Sequence, residues 1–139
     1  RTPVDSRSAF CAVNYDEGKA GALKVGPECP DADQSRAYYH VVKLGPNYDW
    51  AIVTGGPLTV YDKKTGLCTT ADGYDASGLW LFSRDQVMDD LTLAEAKEWC
   101  MLNGISWTKM IAVRQGEGWC GNYIGAYIKK NGKLVKEMR

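Results

Sequence analysis

Charge bias is the first thing this chain lacks. Its 17 lysines and arginines balance 17 aspartates and glutamates. A neutral chain has no electrostatic pull on nucleic acid or on an anionic membrane, and neither is expected as a partner. Long apolar runs are missing too. The longest, around Gly78–Phe82, is strand-sized and falls far short of the ~20 residues that span a bilayer, so a soluble protein is expected. The N-terminal stretch RTPVDSRSAF has neither an apolar signal core nor an initiator methionine, so the chain is expected to be processed or incomplete. There is one histidine, and none of the five cysteines forms a CxxC pair, so no metal site is expected. Gly55-Gly56-Pro57 is turn punctuation with no helix after it, not a phosphate loop. Repeats and low-complexity tracts are absent.

What is present fits one domain. A chain of 139 residues can bury a single core and is too short for two. Gly, Pro, Asp and Asn recur about every ten residues, the mark of a meander of short antiparallel strands. Strands are expected at Ser8–Tyr15, Ala20–Val25, Ala37–Leu44, Tyr48–Thr54 and Leu79–Arg84, with a short one at Ile111–Arg114. One segment is helical. Thr92-Leu93-Ala94-Glu95 reads as a capping box, Asp89 and Asp90 suit the positive end of the helix dipole, and Leu93, Ala96, Trp99 and Cys100 form an apolar stripe. Asn103-Gly104 ends it. Asn131-Gly132, between extended runs in residues 121–139, marks a C-terminal hairpin. The sum is an all-β barrel or sandwich with one helix laid against it.

Alternation assigns faces. With Lys43 toward solvent, Tyr39 and Val41 share its side, and Tyr38, His40, Val42 and Leu44 face the other way. In the later strand Trp80, Phe82 and Arg84 oppose Leu79, Leu81 and Ser83, and composition does not decide which set is interior. The cysteines allow two readings. One is two disulfides and a free thiol in an oxidising compartment; the other is five reduced thiols in the cytosol. Cys29 and Cys68, in polar, turn-rich segments, favour the first.

Three stretches, in order, carry a family resemblance: YYHVVKLGPNYDWAIV, GLWLFSRD, and a helix opened by TLAEAKEW. From Ala37 to Arg114 the chain resembles the C-terminal half of a lipocalin. Asn47–Trp50 matches the turn motif before Ala51-Ile52-Val53, and Ser83-Arg84 matches the end of the last barrel strand. The resemblance implies a lipocalin-like antiparallel up-and-down barrel, residues 1–139, with one α-helix packed outside. The family's Gly-x-Trp on the first strand has no counterpart. Before Ala37 there is room for two or three strands where the family has five, so the front strands are missing, supplied by a second chain, or replaced, for instance by the C-terminal hairpin.

The resemblance further implies a cavity lined by Tyr38, His40, Val42, Ala51, Val53, Trp80 and Phe82, with Arg84 as a structural plug at the closed end, stacked on a Trp and bonded to backbone carbonyls. Cys68–Cys120 and Cys11–Cys29 fit as its disulfides, leaving Cys100 free. Either the aromatics line an open cavity or they fill it; His40 is either a polar ligand contact or a satisfied barrel histidine. Nothing places a nucleophile beside His40, and no enzyme is expected. Tyr48 and Asp49 are read as turn residues, and Leu58–Asp75 as a mixed-charge solvated loop. The expected function is non-catalytic binding or transport of a small hydrophobic ligand such as a lipid, retinoid or carotenoid, with no covalent cofactor. The expected location is extracytoplasmic, a secreted space or an organelle lumen such as that of the thylakoid. The alternative is a lipocalin-like structural subunit of a larger membrane or photosynthetic complex, its cavity filled.

Overall fold

The computed structural model describes residues 11–26, 37–73 and 76–113, and the backbone of 127–130 and 133–136. Five strands form one antiparallel sheet: β1 (Cys11–Asn14), β2 (Ala22–Gly26), β3 (Ala37–Leu44), β4 (Trp50–Thr54) and β7 (Leu79–Ser83), in the spatial order β1-β2-β3-β4-β7. Each pairs with its sequence predecessor except β7, which joins β4 across an inserted hairpin of β5 (Val60–Asp62) and β6 (Leu67–Thr69). Strand β8 (Tyr127–Lys130) pairs antiparallel with β9 (Lys133–Lys136), Lys130 opposite Lys133.

The described strands make an open sheet with β1 and β7 at its edges, not a closed barrel. Antiparallel strands with one external helix are what the sequence leads one to expect; closure is not seen among the described residues. Residues 111–113 are irregular rather than strand, and the segment read as a solvated loop contains the β5–β6 hairpin.

Helix α1 (Asp90–Leu102) starts three residues earlier than the Thr92 capping box implies. Asp89 is the cap: its backbone is extended and its Oδ1 accepts from the Thr92 N–H at 2.9 Å. Aspartate caps as well as threonine does, which leaves Thr92 in the first turn. At the other end Asn103 caps, and Gly104 takes φ +76°, a left-handed conformation that suits glycine.

The core lies between α1 and one face of β4 and β7. Ala96 and Cys100 of the helix meet Trp50 and Ile52 of β4, with Ile105 just past the helix and Leu79, Leu81 and Trp99 around them. Ile52, Ala96 and Cys100 are fully buried. Burial in this core pushes the Cys100 thiol up to about 11, so it stays protonated and inert. The helix exit is stitched to β6: Cys68 donates its N–H to the Gly104 carbonyl at 2.9 Å and accepts from the Ser106 N–H at 2.7 Å.

Candidate functional site

Pairing fixes which side chains share a face. Directly opposed residues in an antiparallel ladder point the same way. On β4 and β7 the pairs Ile52–Leu81 and Thr54–Leu79 lie under the helix, and Ala51–Phe82 and Val53–Trp80 lie on the opposite face. Four of the seven expected cavity residues, Ala51, Val53, Trp80 and Phe82, therefore do come together.

Tyr38 and His40 do not join them. Strand β3 bulges at Val42: Val41 pairs with Val53, but Lys43, not Val42, pairs with Ile52. The extra residue reverses the alternation along β3. His40 opposes Thr54 and so lies on the helix side; Val41 lies with Val53 and Trp80, and Leu44, opposite Ala51, joins them. Val42 sits on the bulge itself, exposed. Lys43 points back to the helix, its Nζ 6.0 Å from the centre of the Trp99 ring. An undisturbed alternation, carried back through the strand from Lys43, keeps Lys43 and Leu44 on their observed sides but places Tyr38, Tyr39, His40 and Val41 on the wrong ones.

The face away from the helix is continuous across all five strands. Ala12 and Asn14 of β1, Leu23 and Val25 of β2, Ala37, Tyr39, Val41 and Leu44 of β3, Ala51 and Val53 of β4, and Trp80 and Phe82 of β7 share it by register. None of these is charged. Trp80 is 41% exposed and Phe82 46%, whereas Val53 between its neighbours is 1% exposed. Trp80 is held in place by glycines. Its six-membered ring lies over Gly78 and Gly55, where any Cβ would collide with it, and the Gly55 N–H donates to the Gly78 carbonyl at 2.9 Å. Gly78 has φ +98°, a second reason for glycine there.

Arg84 explains why this apolar strand ends in charge. Its Nε donates to the Tyr48 carbonyl at 2.7 Å and its backbone N–H to the Asp49 carbonyl at 2.8 Å. Asn47 and Tyr48 both have positive φ, 54° and 59°, so the guanidinium clips a strained turn against the end of β7. The expected carbonyl bond is there. The expected stacking is not: the described rings that meet a cation take it from Lys24, Lys43 or Lys97, and Arg84 is exposed rather than a buried plug.

His40 belongs to a cluster the sequence does not announce. The Tyr15 hydroxyl is 2.5 Å from His40 Nε2, and Tyr38 packs beside both, its ring centre 5.5 Å from that of Tyr15 and 5.3 Å from that of His40. Lys24 Nζ stands 5.3 Å from the centre of each tyrosine ring. Partial burial, with Lys19 nearby, pulls the His40 pKa below its ordinary value. At neutral pH the ring is uncharged, and Nε2 can accept from the Tyr15 hydroxyl. This is a satisfied histidine on the helix-side face.

Asp62, assigned to a solvated loop by sequence, is a junction. Its carboxylate accepts from the Ser106, Thr108 and Thr65 hydroxyls and from the Lys64 N–H, which holds it well below the usual carboxylate range. The Asp-Lys-Lys-Thr-Gly string announces a local turn; nothing in it announces Ser106, 44 residues away. The Cys68 thiol is free among the described residues; its expected partner Cys120 lies outside them, as do Cys29 and the side chain of Cys11. Among the described residues no three His, Cys, Asp or Glu side chains converge on a point that could hold a metal, and no helix is long and apolar enough to cross a membrane. Comparison of the chain with protein-family models, with curated proteins and with solved structures finds no match.

Proposed function

We propose that this chain is a lipocalin-like protein that binds a small hydrophobic molecule, such as a lipid, retinoid or carotenoid, on the sheet face opposite the helix, outside the reducing cytosol. The observation that supports it is the absence of charge on that face combined with half-exposed aromatics at one edge. An apolar molecule that removes ~200 Å² of this surface from water gains about 5 kcal/mol before the costs of association. Ala51, Val53, Trp80 and Phe82 form the binding wall, with Val41 and Leu44 extending it. Tyr38 and His40, on the other face, take no part.

The second reading, a structural subunit of a larger assembly, draws on the edges: among the described residues β1 and β7 each pair on one side only. Organic-solvent extraction of the purified chain with mass spectrometry, run beside light scattering, separates the two. A stoichiometric apolar molecule on a monomer, lost in Phe82→Asp, supports binding. An empty oligomer supports the subunit. An empty monomer that takes up no added retinoid contradicts both.

A further inference from the structure

A cleft lies off the end of β6. It measures about 300 Å³ and is open to solvent, between the β6 terminus, the start of β7 and the segment after α1. Its polar side is Thr69 and Thr70. These residues are 2% and 4% exposed, and among the described residues neither hydroxyl has a hydrogen-bond partner. Buried hydroxyls are costly to leave unpaired, so a cleft that both threonines line offers a place for a ligand or water to bond them. Its apolar side is Leu79, Trp80 and Met110.

Lys109 stands over the opening. Its Nζ donates to both carboxylate oxygens of Asp72, at 3.0 and 2.9 Å. The pair is exposed, the lysine side chain by half and the aspartate by 85%. An ion pair so wet contributes at most about 1 kcal/mol and is easily exchanged. A carboxylate brought into the cleft would offer the same ammonium an equivalent charge-assisted bond, with apolar contacts beside it that Asp72 lacks.

We propose that this cleft binds a compact monocarboxylate with an apolar body, its carboxylate displacing Asp72 from Lys109 and its body lying against Leu79, Trp80 and Met110. The volume is at the small end of ligand sites, which excludes a long lipid or a carotenoid. Asp72 acts as an internal competitor. The inference stands whether or not the open sheet face binds a ligand.

The test uses the full chain and cyclohexanecarboxylate, titrated by calorimetry, with cyclohexylmethanol as the uncharged control. Saturable one-to-one binding of the acid is expected, with the alcohol at least tenfold weaker. Asp72→Asn should tighten the acid severalfold by removing the competitor, and Lys109→Gln should weaken it at least tenfold. Both positions are exposed, so melting temperatures should stay near that of the parent. Phe82→Asp should leave acid binding unchanged. No saturable binding even in Asp72→Asn, binding in that variant no tighter than in the parent, or binding undiminished in Lys109→Gln overturns the site.

Discussion

The two faces of the five-stranded sheet solve the same problem differently. Under the helix, Trp50 and Ile52 are covered by Ala96 and Cys100 of α1 to 3% and 0% exposure. On the other face Trp80 and Phe82, on the neighbouring strand β7, stand 41% and 46% exposed. Strands of one composition thus carry a finished core on one side and an unfinished one on the other. This uncharged face with half-wet aromatics is the one the proposed binding uses.

Substitutions can break or sharpen this contrast. The largest effect is expected in the finished core: Ile52→Ala should lose about 2–5 kcal/mol in urea denaturation, because it opens a cavity against the helix. Phe82→Ala, of larger side-chain volume, should cost under about 1 kcal/mol, since its ring is already half in water. Equal losses would mean that the second face is packed as tightly as the first.

Next comes the helix that finishes the core. Asp89→Ala should cost about 1 kcal/mol, the usual worth of an N-cap, and Thr92→Val much less. The reverse order would move the helix start back to Thr92.

The smallest effect is electrostatic and lies beside the helix. Folding lowers the His40 pKa below its ordinary value of 6.5. Below pH 6.5 the unfolded chain therefore takes up its proton first, and stability falls as pH drops through the folded-state value. Above 6.5 the contribution is complete. Comparing denaturation at pH 7.5 and 5 in the parent and in His40→Gln should show this component only in the parent. In the core under the helix, Cys100 should resist alkylation in the native chain while half-buried Cys68 is modified, read as a mass shift on the Cys68 peptide and none on the Cys100 peptide.

Much of this was legible in the sequence, and the failures have physical causes. Alternation placed Trp80 with Phe82, because that strand is regular, and the resemblance set Ala51 and Val53 beside them. Ala96, Trp99 and Cys100 of the expected stripe face the core as their spacing requires. Alternation failed in β3, where one inserted residue at Val42 inverts the parity and no residue type marks a bulge there. It carried Tyr38 and His40 to the wrong face and hid the Tyr15–His40 pair, whose members are 25 residues apart. Asp62 was missed for a similar reason: a turn aspartate looks the same whether its spare oxygen meets water or the hydroxyl of Ser106. Arg84 was half legible: the carbonyl bond is what the resemblance implied, but stacking needs a ring that the described residues do not bring to it.

The contrast between the two faces is tested most directly by titrating the chain with retinol and following tryptophan quenching. The account predicts saturable one-to-one quenching that Phe82→Asp abolishes and Lys109→Gln leaves intact. Quenching that survives Phe82→Asp at full affinity would contradict it.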